Sequence, residues 1–149
     1  MEKKTYTYDY PMASITADMG LLRKNNDCDY EILLIKRKNE PYKDCWALPG
    51  GFMEMNETLK DCAIRELYEE TGITLNNAFF VRMLDSVDRD PRGRVISGVF
   101  YGYVNEDVTP IANDDAKEVK WFTLKELKNV DIAFDHLTVI LDIYAKLWE

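Results

Sequence analysis

At 149 residues, 46% of them hydrophobic and 31% charged, the chain has the composition of a globular protein with a proper core, neither disordered nor fibrous. The net charge of −8 argues against a general nucleic-acid or anionic-membrane binder, since both need a positive field. A small phosphorylated ligand stays compatible if metal ions and a few local cations meet it.

No apolar run reaches the length of a membrane span, and Met1-Glu2-Lys3-Lys4 lacks the apolar core of a signal peptide. Cys28, Cys45 and Cys62 form no CxxC spacing, so neither a disulfide framework nor a zinc site is indicated and a reducing cytoplasm fits. No repeat or linker divides the chain, and residues 1–149 are expected to form a single domain.

In chain order, residues 5–10, rich in Tyr and Thr and ending at Pro11, read as an extended edge segment. Residues 13–22 are expected as a first core strand, and Lys24-Asn25-Asn26-Asp27 as a turn. Residues 30–37, with the run Ile32-Leu33-Leu34-Ile35, predict a strand buried on both faces. The basic patch Lys36-Arg37-Lys38 ends it. Trp46-Ala47-Leu48-Pro49-Gly50-Gly51 reads as a strand closing on a tight turn whose carbonyls are free to face a metal. Residues 58–71 predict a helix with Leu59, Ala63 and Leu67 as its buried stripe, Thr58 as N-cap and Gly72 just beyond its end.

Residues 78–86 are expected as a strand, Asp88-Arg89-Asp90-Pro91-Arg92-Gly93-Arg94 as a charged turn, and residues 95–104 as a returning strand. Gly98 and Gly102 inside that strand suggest close approach of another backbone or a ligand. A short last strand at 118–122 precedes a brief helix from Leu124, capped by Thr123. The final helix carries Phe134, Leu137, Leu141, Tyr144 and Trp148 at helical spacing, a stripe expected to pack into the core. Mixed strands with two or three helices predict an α/β/α sandwich.

Glu66, Glu69 and Glu70 stand at i, i+3 and i+4, so three carboxylates leave one helix face. Each like-charged pair costs about 0.2–0.5 kcal/mol, and carboxylates near a helix C-terminus cost about 0.3–1 kcal/mol each against the dipole. A hard divalent cation with oxygen ligands reverses both signs. A solvated acidic face is the ordinary alternative for such a cluster; the Pro-Gly-Gly turn ahead of this helix favours the metal.

The pattern Gly-x5-Glu-x7-Arg-Glu-apolar-x-Glu-Glu-x-Gly-apolar from Gly51 to Ile73 resembles the Nudix box at every specified position. That resemblance implies a Nudix-type α/β/α sandwich with a mixed sheet, and a Mg²⁺- or Mn²⁺-dependent hydrolase of nucleoside diphosphate derivatives. It implies metal ligation by Glu66, Glu69, Glu70 and the backbone carbonyl at Gly50. Glu57 and Arg65 join the catalytic set as an orienting pair. The general base stays open between Glu69, Glu66 and an acidic residue of the loop 113–118.

The charged turn, Tyr8-Asp9-Tyr10-Pro11, Asp115-Ala116-Lys117-Glu118-Val119 and Ala133-Phe134-Asp135-His136 resemble the ADP-ribose pyrophosphatase branch, although a proline often found near the position of Val87 is absent. This implies ADP-ribose as substrate, with Arg37, Arg89, Arg92 and Glu118 as substrate contacts, Arg94 as a further phosphate candidate and a homodimer as a compatible state. The alternatives are a nucleoside triphosphate pyrophosphohydrolase of the 8-oxo-dGTP type and a non-catalytic ADP-ribose-sensing module. Trp46, Trp121 and the N-terminal tyrosines are candidates to stack a base. His136, the one histidine, reads as a structural residue near the start of the final helix, with Asp135 as its cap.

Overall fold

The computed structural model describes residues 3–105 and 107–148; Met1 and Glu2 of the charged start lie outside the described residues. In chain order come β1 (Ser14–Lys24), β2 (Tyr30–Arg37), β3 (Trp46–Ala47), β4 (Gly50–Phe52), α1 (Leu59–Thr71), β5 (Phe79–Leu84), β6 (Val95–Tyr103), β7 (Ala116–Thr123), a 3₁₀ helix (Glu126–Asn129) and α2 (His136–Lys146). Among the described residues the strands form one mixed sheet in the order β3-β2-β1-β6-β5, with β4 added to β1 and β7 to β2. β1 runs parallel to β6 from Ser14↔Val95 to Leu22↔Tyr103. It runs antiparallel to β4, with Asp18 opposite Gly50.

Strand alternation sorts the core into two layers. Ala17, Met19, Leu21 and Leu33 pack with Cys62, Ala63 and Leu67 of α1. Leu22, Ile32, Leu34 and Val99 pack with Val139, Ile140 and Ile143 of α2 on the opposite face. This is the expected sandwich, with a sheet buried on both sides, and β2 is as apolar as that position demands. α1 starts where the Thr58 hydroxyl accepts the Asp61 N–H at 3.1 Å. It stops at Gly72, which takes the left-handed conformation at φ 73° that costs a residue without Cβ nothing.

Three expectations need correction. Residues 5–10 join no strand of the sheet and lie exposed. The buried stripe of α2 is rotated from the expected one. His136, Val139, Ile140, Ile143 and Tyr144 face inward, whereas Leu137, Leu141 and Trp148 are exposed. The helix carries apolar residues on most of its circumference, so spacing alone allows two overlapping stripes. The close approach at Gly98 and Gly102 comes chiefly from side chains: a Cβ there would run into Leu59 and Leu75, with the Asn77 backbone carbonyl 3.3 Å away at Gly102.

Candidate active site

α1 lies along the sheet so that its acidic face meets the turn between β3 and β4. Arg65, in the middle of the helix, is the hub. Its Nε and Nη2 donate to Glu57 Oε2 and Oε1 at 2.9 and 2.7 Å. Its Nη1 donates to Glu66 Oε1 at 2.9 Å and Glu69 Oε2 at 3.0 Å, and Nη2 also reaches the Phe52 carbonyl at 3.1 Å. This two-pronged grip holds the Glu57 carboxyl well down, at about 2, because the charged form receives strong donors.

One turn further on the situation reverses. Glu70 is only 4% exposed and accepts the Gly50 N–H at 3.1 Å. Burial, then the neighbouring Glu66, Asp18 and Asp115 charges, push its carboxyl up to about 9. Burial also raises Glu66, against the pull of Arg65. The two glycines let the turn come this close. A Cβ on Gly51 would sit 2.5 Å from the Glu66 carboxyl carbon, and one on Gly50 would collide with Asp18.

Among the described residues no three acidic, histidine or cysteine side chains close into a ready-made metal cage. Mg²⁺ does not need one, as it keeps several waters and takes one or two carboxylates. A buried Glu70 with no ion pair among the described residues and a half-buried Glu66 that shares Arg65, against a glycine turn with no room for a side chain, fit that donor set. Glu69 differs from its two companions in exposure: it shares Arg65 with Glu66, but its side chain is 40% exposed.

These groups open into a cavity of about 390 Å³ lined by Asp18, Gly50, Gly51, Phe52, Glu66 and Glu70. Arg37, Arg92, Asp115, Phe134 and His136 line it as well. Of the arginines expected at phosphate, Arg37 and Arg92 face this space. Arg37 is tethered by Nε to the Pro41 carbonyl at 2.7 Å. Arg92 is gripped by Asp90, Nε to Oδ1 at 3.0 Å and Nη2 to Oδ2 at 2.8 Å. Arg89 borders the cavity too, but it is buried and spends its fork on Asp135, at 3.0 and 2.8 Å. Arg94 is committed to the carbonyls of Asp85 and Ser86. Glu118 pairs with Lys36 at 3.2 Å and does not border the cavity. Trp46 packs edge-on against Phe122 at 4.9 Å and Trp121 lies under Arg23; the cavity-lining aromatics are Phe52 and Phe134 instead.

His136 holds the floor. Its Nδ1 accepts the Leu48 N–H at 3.0 Å, which puts its proton on Nε2, facing Asp18 at 3.7 Å. Asp18 in turn accepts the Ser97 hydroxyl at 2.5 Å. Complete burial keeps the imidazole below its usual pKa, Asp18 opposing the shift, so it stays neutral and carries Leu48-Pro49-Gly50 in place. Sequence reasoning passed over Asp18, read Asp90 only as part of the charged turn, and read Asp135 as a helix cap, whereas its side chain makes no cap hydrogen bond and takes Arg89 instead. Asp18 did leave a signal, a carboxylate inside an apolar core strand.

The comparisons agree with this geometry. The NUDIX domain profile matches residues 16–143. An ADP-ribose pyrophosphatase of Methanocaldococcus jannaschii is 43% identical over 94% of this chain and 77% of its own. The ADPR responsive transcriptional repressor NtrR of Acinetobacter baylyi is 34% identical over 93% of this chain, which spans 56% of the repressor. Among solved structures, the NUDIX domain of Shewanella oneidensis NrtR complexed with ADP ribose superposes with a TM-score of 0.86 at 26% identity, covering 94% of each chain. The chain belongs to the Nudix family. Within that family it is a pyrophosphohydrolase acting on a small nucleotide.

Proposed function

We propose that the protein hydrolyses ADP-ribose, adding water across the diphosphate to give AMP and ribose 5-phosphate, with Mg²⁺ as its metal. The observation that carries this reading is the charge of the cavity: the carboxylates of Glu66 and Glu70 and the guanidinia of Arg37 and Arg92 line one space. A metal-bound diphosphate suits that pairing of charges. Glu66, Glu70 and the Gly50 backbone hold the metal, and Glu69 completes the acidic face. A divalent cation bound there polarises phosphate oxygens and lowers the pKa of a bound water.

The protein's own groups do the rest. Arg65 keeps Glu57, Glu66 and Glu69 in register. Arg37 and Arg92 neutralise and orient the phosphates as bidentate donors. Asp115 borders the cavity with its carboxylate steadied by the Asn39 amide at 3.3 Å. It belongs to the loop 113–118, one of the three sources open for the general base, and in this reading accepts the proton of the attacking water. Phe52, exposed at the cavity mouth, offers the base an aromatic face. The net charge of −8 argues against a general nucleic-acid binder and favours a small phosphorylated substrate.

The similarity to the NtrR repressor favours one second reading, binding without turnover. Product analysis with Mg²⁺ and ADP-ribose separates the two. AMP plus ribose 5-phosphate, lost in Glu70→Gln, supports the hydrolase. A raised melting temperature with ADP-ribose recovered unchanged sinks it and leaves the sensor. Release of diphosphate from a nucleoside triphosphate alone moves the substrate class instead.

A further inference from the structure

Two bulky residues beside the cavity, Tyr42 and Phe134, adopt left-handed backbone at φ 59° and 53°. That region is uphill for an aromatic side chain, and such outliers persist only where surrounding structure enforces them. Their rings meet at 4.7 Å. One comes from the loop after β2 and the other from the turn that opens α2, so the contact joins two distant stretches at the cavity wall.

The Phe134 ring also carries two cations. Arg37 Cζ lies 5.0 Å from its centroid and Arg92 Cζ 5.8 Å, both within the reach at which a guanidinium is attracted to a ring. Both line the cavity, together with Arg65 and Arg89, whose forks are spent on Glu57 and Asp135. Arg92 also lies 5.1 Å from the Phe52 centroid, and the polar tethers differ, a neutral carbonyl for Arg37 and the buried Asp90 for Arg92. Left alone, two like charges in a half-buried wall would move apart; burial and the Arg92 charge both weaken the Arg37 cation.

We propose that Phe134, braced by Tyr42, is a positioning residue that gathers Arg37 and Arg92 into one dicationic clamp for the substrate's diphosphate. The clamp rests on the reading of the protein as a diphosphate hydrolase and names the part of the wall that recognises the charge. Phe134 touches no reacting atom; it acts through the two arginines.

The test uses the full chain with Mg²⁺ and ADP-ribose. Phe134→Asn keeps a residue that accepts left-handed backbone and removes the ring. The expected result is a KM raised about ten-fold, the size of one good cation–π contact. The kcat stays within about two-fold and the Mg²⁺ concentration for half-maximal rate does not move. Phe134→Tyr restores the wild-type KM. In an Arg92→Ala background, Phe134→Asn adds less than about two-fold, because the clamp is already open.

An unchanged KM in Phe134→Asn overturns the proposal. So do penalties that multiply with Arg92→Ala, or a fall in kcat and Mg²⁺ affinity alongside KM, which is what a generally loosened site gives. If Phe134→Asn fails to fold, Tyr42→Asn removes the brace from the other side and must show the same KM-only signature. If the wild-type protein does not turn over ADP-ribose, the functional reading fails separately. Calorimetric binding of inorganic diphosphate then tests the clamp alone: weaker binding in Phe134→Asn upholds it, and equal affinity rejects it.

Discussion

Glu57 and Glu70 flank the same helix and share one chemistry, yet the fold puts them in opposite states. Glu57 sits in the fork of Arg65, ionised and held down at about 2. Glu70 is sealed against the Gly50 turn with Glu66, Asp18 and Asp115 for company, and its carboxyl is pushed up to about 9. A carboxylate with its guanidinium is finished structure. One buried among other acids is stabilised only when a cation arrives, and the helix keeps the first kind to aim the second.

The largest expected effect comes from removing the second kind. Glu70→Gln should lower kcat/KM by more than about 100-fold, the upper end of what losing a mere supporting partner of a metal ligand costs. The same variant should melt higher than wild type at pH 8 without metal, because a neutral amide suffers no burial penalty there. A wild-type rate in Glu70→Gln would erase the contrast altogether.

Metal removal reads the contrast through pH. In the metal-free protein, native Glu70 still binds a proton over a range, from 4.5 to about 9, in which the unfolded chain has released it. The native state binds more protons there, so this group's contribution is fully present below pH 4.5 and is lost as pH rises toward 9. The expected loss is a few kcal/mol, seen as a melting temperature that falls across that window in EDTA. Mg²⁺ should restore it, and Glu70→Gln should flatten the slope.

The finished end is tested by Arg65→Lys, which keeps the charge but cannot hold Glu57 with two parallel donors. A fall in kcat of about ten-fold at saturating Mg²⁺ is expected, with KM little changed. An unaltered kcat would mean that the network serves stability alone. Arg92→Ala should do the reverse, raising KM about ten-fold with kcat largely kept, as the loss of a charged hydrogen-bond donor to phosphate would. Smallest of all is Glu118→Gln. Its pair with Lys36 is exposed, so stability should change by less than about 0.5 kcal/mol and KM not at all. A several-fold KM shift would show that substrate reaches over β7.

The box helix was legible from the chain because its signals are local. Thr58 caps it, Gly72 ends it and the spacing of Glu66, Glu69 and Glu70 sets one face, all within reach of helix geometry. The buried strand β2 was legible for the same reason. The phase of α2 was not, since apolar residues surround it and only the sheet beneath chose His136, Val139, Ile140 and Ile143. Nor could the charged turn be sorted in advance. Arg89 and Arg92 are alike in sequence, and what separates them is that Asp135 comes from α2's start to take one, while Asp90 turns the other toward the cavity.

By itself, then, the sequence determined the sandwich, the acidic helix face and the glycine turn that faces it, because each depends on backbone preference and spacing over a few residues. Tertiary structure decided which carboxylate is paired and which is left buried, which arginines line the cavity, and that Phe134 and Tyr42 would be forced into left-handed backbone beside them. Those outcomes depend on desolvation and on partners brought from dozens of residues away, and neither is written in local spacing.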